Sequence, residues 1–350
     1  MNSYMVKFLK SIKDYYRLHR KNILIIFFSS VLGTILFVSV FLYVDYRDLV
    51  RDILNFSWWK FLVFFTISIF AFIAVTYRWA LIVKAYGFKI SFWRLFRYRL
   101  AGFTFSYMTP LNEFGGAPFR AYLLARENIP FNSGLLTIIL ENFVEVFTQS
   151  FVVTFFIAIF LSSLGLSTKA LWLLVIAIIV FIAFVVFVYF RLRKGSPIIT
   201  PLLKFLKLKK LYKKTIEPEQ YFLEFFTKHK KVFFKTIGAS LLVFVITVGE
   251  IWFLLYLMGL NLGLFNTFFA KIILNLANTI PVPAALGVSE WAQTGFFETI
   301  LHNKSAGLTF SMIFRAKNIF YSLIGFVFLV HLWQKRVKLD KKLKSLFGVK

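Results

Sequence analysis

The sequence contains repeated apolar stretches of about 20 residues, which is the length that a helix needs to cross a lipid bilayer. The composition agrees, because 59% of the 350 residues are hydrophobic and only 16% are charged, whereas about a quarter of a soluble domain is charged. The first apolar run, at 23–44, is too long for the core of a signal peptide, so we expect it to remain as a span. The sequence therefore predicts an all-α polytopic membrane protein with about eight transmembrane helices.

Basic residues are concentrated in three segments that flank apolar spans, at 7–21, 191–235 and 335–350, and the net charge is +27. Lysine and arginine beside a span mark its cytoplasmic side and are attracted to anionic head groups. This pattern predicts a multi-pass protein of the cell (inner or cytoplasmic) membrane with cytoplasmic N- and C-termini. We expect contacts with anionic membrane lipids and no nucleic-acid partner.

We expect a single transmembrane domain over residues 22–333, with a basic cytoplasmic linker at 191–231 inside it. A basic amphipathic lead-in at 1–21 and a basic tail at 334–350 are expected on the cytoplasmic surface. The mixed-charge segment at 45–52 is expected to be an outside loop. Arg78, near the end of the second span, could simply extend toward the head groups, with Trp79 at the interface. The predicted spans are 22–44, 58–83, 100–108 as a partial span, 131–160, 170–190, 232–260, 265–280 and 308–333.

Two polar interruptions of the apolar runs, at 109–120 and 278–290, organise the predicted fold. Each contains proline, glycine and a glutamate, and both proline and glycine disfavour continuation of a helix. Irregular backbone at membrane depth persists only where it is buried in protein or lines a wet cavity. Paired broken segments in the two halves of a chain are typical of transporters. We therefore expect two broken or re-entrant segments that face one another in an inverted repeat.

Ionisable residues occur at helical spacing within the predicted spans. Insertion of one such charge costs about 2.5–3.5 kcal/mol, so each needs a partner or a wet cavity. Glu141, Glu145 and Gln149 form a stripe on the fourth span, Glu250 is embedded in the sixth, and Arg315 lies in a polar stripe on the last. We expect these faces to turn inward around the two breaks. The predicted lipid-binding residues are Pro110, Gly115, Gly116, Arg120, Glu141, Glu145, Asn278, Pro281, Gly287, Glu290 and Arg315.

Structural explanations stay open for several of these residues. Gly115 and Gly116 either expose N–H groups to a phosphate that Arg120 also binds, or they allow close backbone packing at a tight turn. Glu290 is either a functional carboxylate or an acid favoured by the start of a helix. Hydrogen bonding between helices is the preferred explanation for Gln149, Ser311 and Ser322.

We expect neither a metal nor a cofactor. The chain has no cysteine, and its four histidines are scattered without metal-ligand spacing. It carries no Walker loop, dinucleotide fingerprint or nucleophile elbow. The paired carboxylates could in principle perform acid–base catalysis, but no nucleophile or metal accompanies them. The residues alone therefore favour transport over catalysis.

The order and spacing of these motifs resemble the transmembrane region of the lysylphosphatidylglycerol synthases, a family of flippase-like integral membrane proteins. The resemblance covers most of the chain, from about residue 20 to residue 335. The matching residues are Arg78-Trp79, Pro110, Gly115-Gly116, Arg120, Leu123-Leu124, Glu141, Glu145, Pro281, Pro283, Leu286-Gly287, Glu290 and Arg315. The chain departs from the family pattern at Ala284-Ala285, where a glycine pair is usual, at Asn142 for an arginine, and at Glu145 for an aspartate.

The resemblance implies an inner-membrane protein whose larger relatives move aminoacylated phospholipid between leaflets. Some single-domain relatives are linked to other lipids, such as polyprenyl-linked intermediates. Because the soluble aminoacyl-transferase domain of the full synthases is not in this sequence, we expect no lysyl transfer. The favoured function is a lipid translocase that moves a phospholipid or polyprenyl-linked lipid. The alternatives are an intramembrane enzyme, or an accessory or scaffold protein, in lipid or lipid-linked glycan synthesis. The chain could also form a homo-oligomer or bind a partner synthase.

Overall fold

The computed structural model describes residues 24–163, except 25 and 110–114, and residues 209–347, together with scattered positions between 172 and 204. Every regular element in these residues is helical, and none of them forms a strand. This confirms the prediction of an all-α protein. In chain order the helices are α1 (Ile26–Tyr43), α2 (Tyr46–Asn55), α3 (Trp58–Ala85), α4 (Phe92–Met108), α5 (Ala117–Ala125), α6 (Phe131–Ser163), α7 (Lys209–Lys228), α8 (Lys230–Leu257), α9 (Gly263–Thr279), a 3-10 helix (Pro283–Ala285), α10 (Val288–Leu301) and α11 (Lys304–Phe347).

Within the described residues, five helices are long and apolar enough to cross a bilayer, namely α1, α3, α6 as far as Phe156, α8, and α11 as far as Leu332. Each coincides with a predicted span, and the bounds of α3, α6 and α8 differ from the predicted ones by three residues or fewer. The predicted spans at 100–108 and 265–280 fall in α4 and α9, which have 17 residues each. The lead-in at 1–21 and most of the span at 170–190 lie outside the described residues.

Both predicted breaks interrupt the helices in the described part of the chain. At the first break, α4 ends at Met108 and α5 begins at Ala117. At the second, α9 ends at Thr279 and α10 begins at Val288. The short helices α5 and α10 begin within the last residues of the two predicted breaks. The inverted arrangement of the two breaks stays a prediction.

The prediction of a loop at 45–52 is wrong, because α2 occupies most of this segment. Asp45 forms the N-cap of α2, and its Oδ1 accepts a hydrogen bond from the Arg47 N–H at 2.8 Å. The balance of loop charges indicates a side of the membrane and carries no information about backbone conformation. The cap residue was therefore the better signal here.

Contacts between residues divide the chain into two compact units. The first unit comprises Met1–Ile67, Arg97–Phe119 and Val248–Lys350, and the second comprises Ser68–Phe96 and Arg120–Thr247. Four helices, α3, α4, α5 and α8, contribute residues to both units. Each unit has a buried core of its own. The single domain expected over 22–333 stays a prediction.

In the first unit, α10 packs against both α9 and α11, and α2 packs against α11. Phe297 of α10 and Phe310 of α11 are fully buried, and their ring centroids lie 5.3 Å apart. Aromatic rings bury large apolar areas, so they hold the α10–α11 hairpin together. One core cluster of this unit comprises Phe64, Ile251, Leu254, Leu255, Leu257, Leu262, Ala270, Phe297, Ala306, Phe310, Ile313 and Phe314.

In the second unit, α7 packs against α6 and ties the described end of the basic linker to the helix core. The ring of Tyr86 stacks on that of Tyr221 at a centroid distance of 4.0 Å, and its hydroxyl donates to the Tyr221 carbonyl at 2.8 Å. Burial raises the pKa of both phenols above the usual value for tyrosine. The core of this unit consists of Ile82, Leu140, Val144, Phe225, Phe226 and Phe233.

Candidate functional site

Four charged side chains of the second unit, Arg78, Arg120, Glu141 and Glu145, form one buried group, called here the first cluster. Arg78 Nη2 donates to Glu141 Oε1 at 3.2 Å and also pairs with Glu145 Oε2. Arg120 Nη1 donates to Glu141 Oε2 at 3.1 Å. Glu141 is fully buried, and each of its oxygens binds a different arginine. The two positive and two negative charges of the cluster balance.

The helical spacing of α6 places both carboxylates of the first cluster on one face, because residues four apart lie one above the other. Gln149, one turn further along, donates from Nε2 to Glu145 Oε1 at 3.0 Å. Glu141 and Glu145 lie near the middle of the candidate span Phe131–Phe156. An unpaired charge there would cost about 2.5–3.5 kcal/mol. Arginines from α3 and α5 offset that cost.

Arg78 does not extend toward the head groups, so that prediction is wrong. Its side chain is 1% exposed. It precedes Ala85, the last residue of α3, by seven residues, or about 10 Å at 1.5 Å per residue. Two carboxylates of α6 pair with its guanidinium. Arg78 Nη1 also donates to Ser240 Oγ at 3.3 Å, whereas its Nε is buried without a partner among the described residues.

Arg120 lies in the first turn of α5, directly after the first break. Its guanidinium lies over the indole of Trp79, 5.2 Å from the ring centroid, and Trp79 Nε1 donates to Thr137 Oγ1 at 3.4 Å. Within the described part of the chain, the bond to Glu141 is the one hydrogen bond that Arg120 donates. An arginine has five N–H groups. Most of the donor capacity of Arg120 is therefore not used by described residues.

A second cluster lies at the second break, within the first unit, and centres on Glu290 and Arg315. Arg315 Nε donates to Glu290 Oε1 at 2.7 Å, and Nη2 pairs with the same oxygen. Nη1 donates to Tyr107 Oη at 3.5 Å and to the Ala284 carbonyl at 3.4 Å, and Nη2 donates to Ser289 Oγ at 3.3 Å. Every nitrogen of the Arg315 guanidinium thus has a protein partner.

Glu290 is a helix-start acid that also pairs with Arg315, and its functional role stays a prediction. Its Oε2 accepts hydrogen bonds from the Gly287 N–H at 2.7 Å and from the Ser289 hydroxyl at 3.0 Å, which caps the start of α10. Its Oε1 binds Arg315. The side chain is fully buried. Glu290 therefore joins the backbone of the break to the middle of α11.

The second break contains backbone in the left-handed region. Ala284 has φ 53° and ψ 20°, Ala285 has φ 47°, and Gly287 has φ 76°. This conformation costs a residue with a side chain roughly 1–2 kcal/mol, whereas glycine adopts it readily. This cost explains why a glycine pair is usual in the family at the positions that Ala284 and Ala285 occupy here. At Gly287 an added Cβ would also lie 2.5 Å from the Gly33 carbonyl oxygen of α1.

Lys317, which was not among the predicted residues, forms a further buried ion pair with Glu250 inside the first unit. Lys317 Nζ lies 4.1 Å from the ring centroid of Phe314, and the Lys317 and Glu250 side chains are 10% and 4% exposed. A lysine near the middle of the candidate span Lys304–Leu332 needs a partner. That requirement, together with the unassigned Glu250, was the signal that could have identified the pair.

Some predicted site residues take no part in the two clusters. Pro110 lies outside the described residues. The Gly116 N–H donates to Ser106 Oγ at 3.0 Å, and a Cβ on Gly116 would lie 2.1 Å from the Gly102 carbonyl oxygen. Close packing is therefore the better explanation for Gly116, because its N–H is already used. Gly115 and Asn278 are half-buried and Pro281 is exposed. The lipid-binding role of every predicted site residue stays a prediction.

The helices and the buried charges together define a class, that of multi-pass helical membrane proteins whose mid-span charges are compensated in buried pairs. The sequence matches the family described as the lysylphosphatidylglycerol synthase TM region over residues 18–325, and the chain belongs to that family. This confirms the resemblance that the motifs indicate.

The chain is also similar to a UPF0104 membrane protein of Methanocaldococcus jannaschii, with 24% identity over 132 residues. The alignment covers 36% of this chain and 39% of the relative. The chain thus matches less than half of the length of that curated relative.

Proposed function

We propose that this protein is a lipid translocase of the cell membrane that moves a lipid with a charged head group between the two leaflets. The first cluster is the observation that supports this function. It holds four ionisable side chains among apolar spans, and Arg120 keeps donor groups that no described residue uses. Ionisable residues within spans usually mark the path of a substrate or ion.

The chemistry of the cluster suits a lipid head group. A guanidinium binds a phosphate through charge-assisted, often bidentate hydrogen bonds. Glu145 is the least buried member of the cluster, with 21% of its side chain exposed, and its carboxylate can contact a cationic group. Polar contacts of this kind would shelter the head group while the tails stay in hydrocarbon, and translocation requires no covalent step. The basic segments beside the spans support cytoplasmic termini and contacts with anionic lipids as parts of the same proposal.

Reconstitution into vesicles that contain an acyl-labelled fluorescent phospholipid tests this function, because a reductant added outside reports the rate at which labelled lipid reaches the outer leaflet. We expect wild-type protein to accelerate movement over protein-free vesicles. We expect Arg120→Gln to slow it by about tenfold to a hundredfold, because a hydrogen bond to a charged group contributes about 1.5–3 kcal/mol. Arg94→Gln is the matched control, since Arg94 pairs with Glu127 at an exposed site.

An Arg120→Gln protein that elutes as a folded species and moves lipid as fast as wild type would contradict the role of Arg120. A wild-type protein that moves no lipid, and instead yields a new lipid product detectable by mass spectrometry, would favour the enzyme alternative. Lipid that co-purifies with wild type and is lost from Arg120→Gln would support the same site independently of transport.

A further inference from the structure

We propose, on the basis of the translocase function above, that the first cluster selects a head group that carries one phosphate and one ammonium group. The ligand would bring no net charge into the membrane interior. Arg120 would contact the phosphate and Glu145 would contact the ammonium. Three features support this selection: the charges of the cluster balance, two of its groups have unused hydrogen-bonding capacity, and the second cluster is saturated.

The charge balance sets the net charge of the preferred ligand. Arg78 and Arg120 are matched by Glu141 and Glu145 through three ion pairs. A buried charge without compensation costs several kcal/mol. A purely anionic head group would leave the occupied site negative, and a head group with surplus amines would leave it positive. A head group with one charge of each sign keeps the occupied site neutral.

Two ends of the cluster can accept such a ligand. Arg120 uses one of its five N–H groups within the described chain, and its guanidinium lies over the indole of Trp79. Glu145 is paired with Arg78 and Gln149, yet 21% of its side chain stays accessible. A carboxylate has about four lone-pair sites, so it can accept a further donor.

The inner members of the cluster keep these two ends together. Glu141 is fully buried and binds Arg120 through one oxygen and Arg78 through the other. Arg78 then reaches Glu145 with the same nitrogen that binds Glu141. The phosphate-binding and ammonium-binding ends are therefore linked through one chain of contacts, as a single compact head group requires.

The second cluster does not offer the same capacity. Each nitrogen of Arg315 already donates to a protein oxygen, and both oxygens of Glu290 accept hydrogen bonds. A ligand would have to displace at least one of these bonds. We therefore assign head-group selection to the first cluster and the ordering of the second break to Arg315.

The test compares three lipids that share one labelled acyl chain and differ in head group: phosphatidylethanolamine, phosphatidylglycerol and lysylphosphatidylglycerol. In vesicles with wild-type protein, we expect the neutral ethanolamine lipid to move faster than either charged lipid, on the order of tenfold.

Glu145→Gln makes the cluster net positive, so we expect its preference to change to phosphatidylglycerol. Arg120→Gln makes it net negative, so we expect a change toward the lysyl lipid. Glu127→Gln, at the exposed ion pair, should keep the wild-type order.

Native mass spectrometry of wild-type protein with an equimolar mixture of the three lipids measures selection without any variant, and we expect retention of phosphatidylethanolamine above the other two. Equal retention and equal movement of the three lipids by wild type would overturn the inference and leave the translocase function standing. The same holds if Glu145→Gln folds and keeps the wild-type order. Movement of none of the three lipids by wild type would contradict the translocase function itself.

Discussion

Glu290 shows how one buried carboxylate can stabilise an irregular turn and a distant helix at once. Its Oε2 accepts a hydrogen bond from the Gly287 N–H, and its Oε1 accepts one from Arg315. The neighbouring Ala284 and Ala285 hold left-handed backbone at a cost that glycine would avoid. Arg315 donates to the Ala284 carbonyl, so it helps to hold the strained turn in place. The second break thus depends on the Glu290–Arg315 pair.

Replacement of Glu290 by glutamine should strongly destabilise the protein. The variant leaves Arg315 buried without a carboxylate, and loss of one partner of a buried pair costs about 3–5 kcal/mol. The measurement is the thermal unfolding midpoint in detergent micelles, read by tryptophan fluorescence. Glu127→Gln at the exposed pair with Arg94 is the control and should cost at most about 1 kcal/mol. The combined Glu290→Gln and Arg315→Met variant should recover much of the loss, and a midpoint as low as that of Glu290→Gln alone would refute the ion-pair explanation.

The cost of charge in a bilayer makes some of these residues predictable from sequence, but not their partners. Glu141, Glu145, Glu290 and Arg315 stand out because each interrupts an apolar run at helical spacing. Which charge binds which depends on packing between helices that are far apart in the chain. The prediction for Arg78 failed for this reason, since snorkelling considers only a residue and its own helix.

At the first break, a glycine allows two helices to approach closely. The Cα of Gly116 faces the backbone of α4, and a Cβ there would lie 2.1 Å from the Gly102 carbonyl oxygen. We expect Gly116→Ala to lower the unfolding midpoint and to reduce lipid movement, because α5 carries Arg120 and would have to shift. The matched control is Gly249→Ala in α8, where nothing lies within 4 Å of the added Cβ.

Alanine has a higher helix propensity than glycine, by about 1 kcal/mol, so Gly249→Ala should keep or raise the midpoint. Equal effects of the two substitutions would show that close approach at Gly116 does not matter. Both variants can be followed by size-exclusion chromatography and tryptophan fluorescence in the same detergent.

Helices and breaks were predictable to different degrees. The length of the apolar runs predicted the five long helices, and the proline and glycine residues predicted both interruptions. The helix α2 was not predicted, because its charged segment was interpreted only as a topology signal. The paired glutamates of the first cluster were predictable from the period of α6, whereas the contribution of α3 was not, because it requires knowledge of how α3 packs.

The topology of the protein can be tested directly because the chain contains no cysteine. We expect a membrane-impermeant maleimide added to intact cells to label Arg51→Cys, in α2, and to leave Lys194→Cys, in the linker, unlabelled. Both positions are exposed. Lys194 lies in a segment with an excess of basic residues, which marks the cytoplasmic side, whereas the α2 segment has no such excess. Labelling of Lys194→Cys in intact cells, with protection of Arg51→Cys, would reverse the predicted orientation.

The pairing of distant charges has a consequence for how the chain enters the membrane during synthesis. Arg78 and Glu141 are 63 residues apart, and Glu250 and Lys317 are 67 residues apart. The ribosome adds about 5–20 residues per second, so Glu141 and Lys317 are synthesised roughly 3–13 s after Arg78 and Glu250. In that interval Arg78 and Glu250 lack these two partners, and the apolar residues of each span must offset the cost of the charge. Substitutions of the later partners, Glu141 and Lys317, would therefore lower the amount of protein that cells accumulate, as well as its activity.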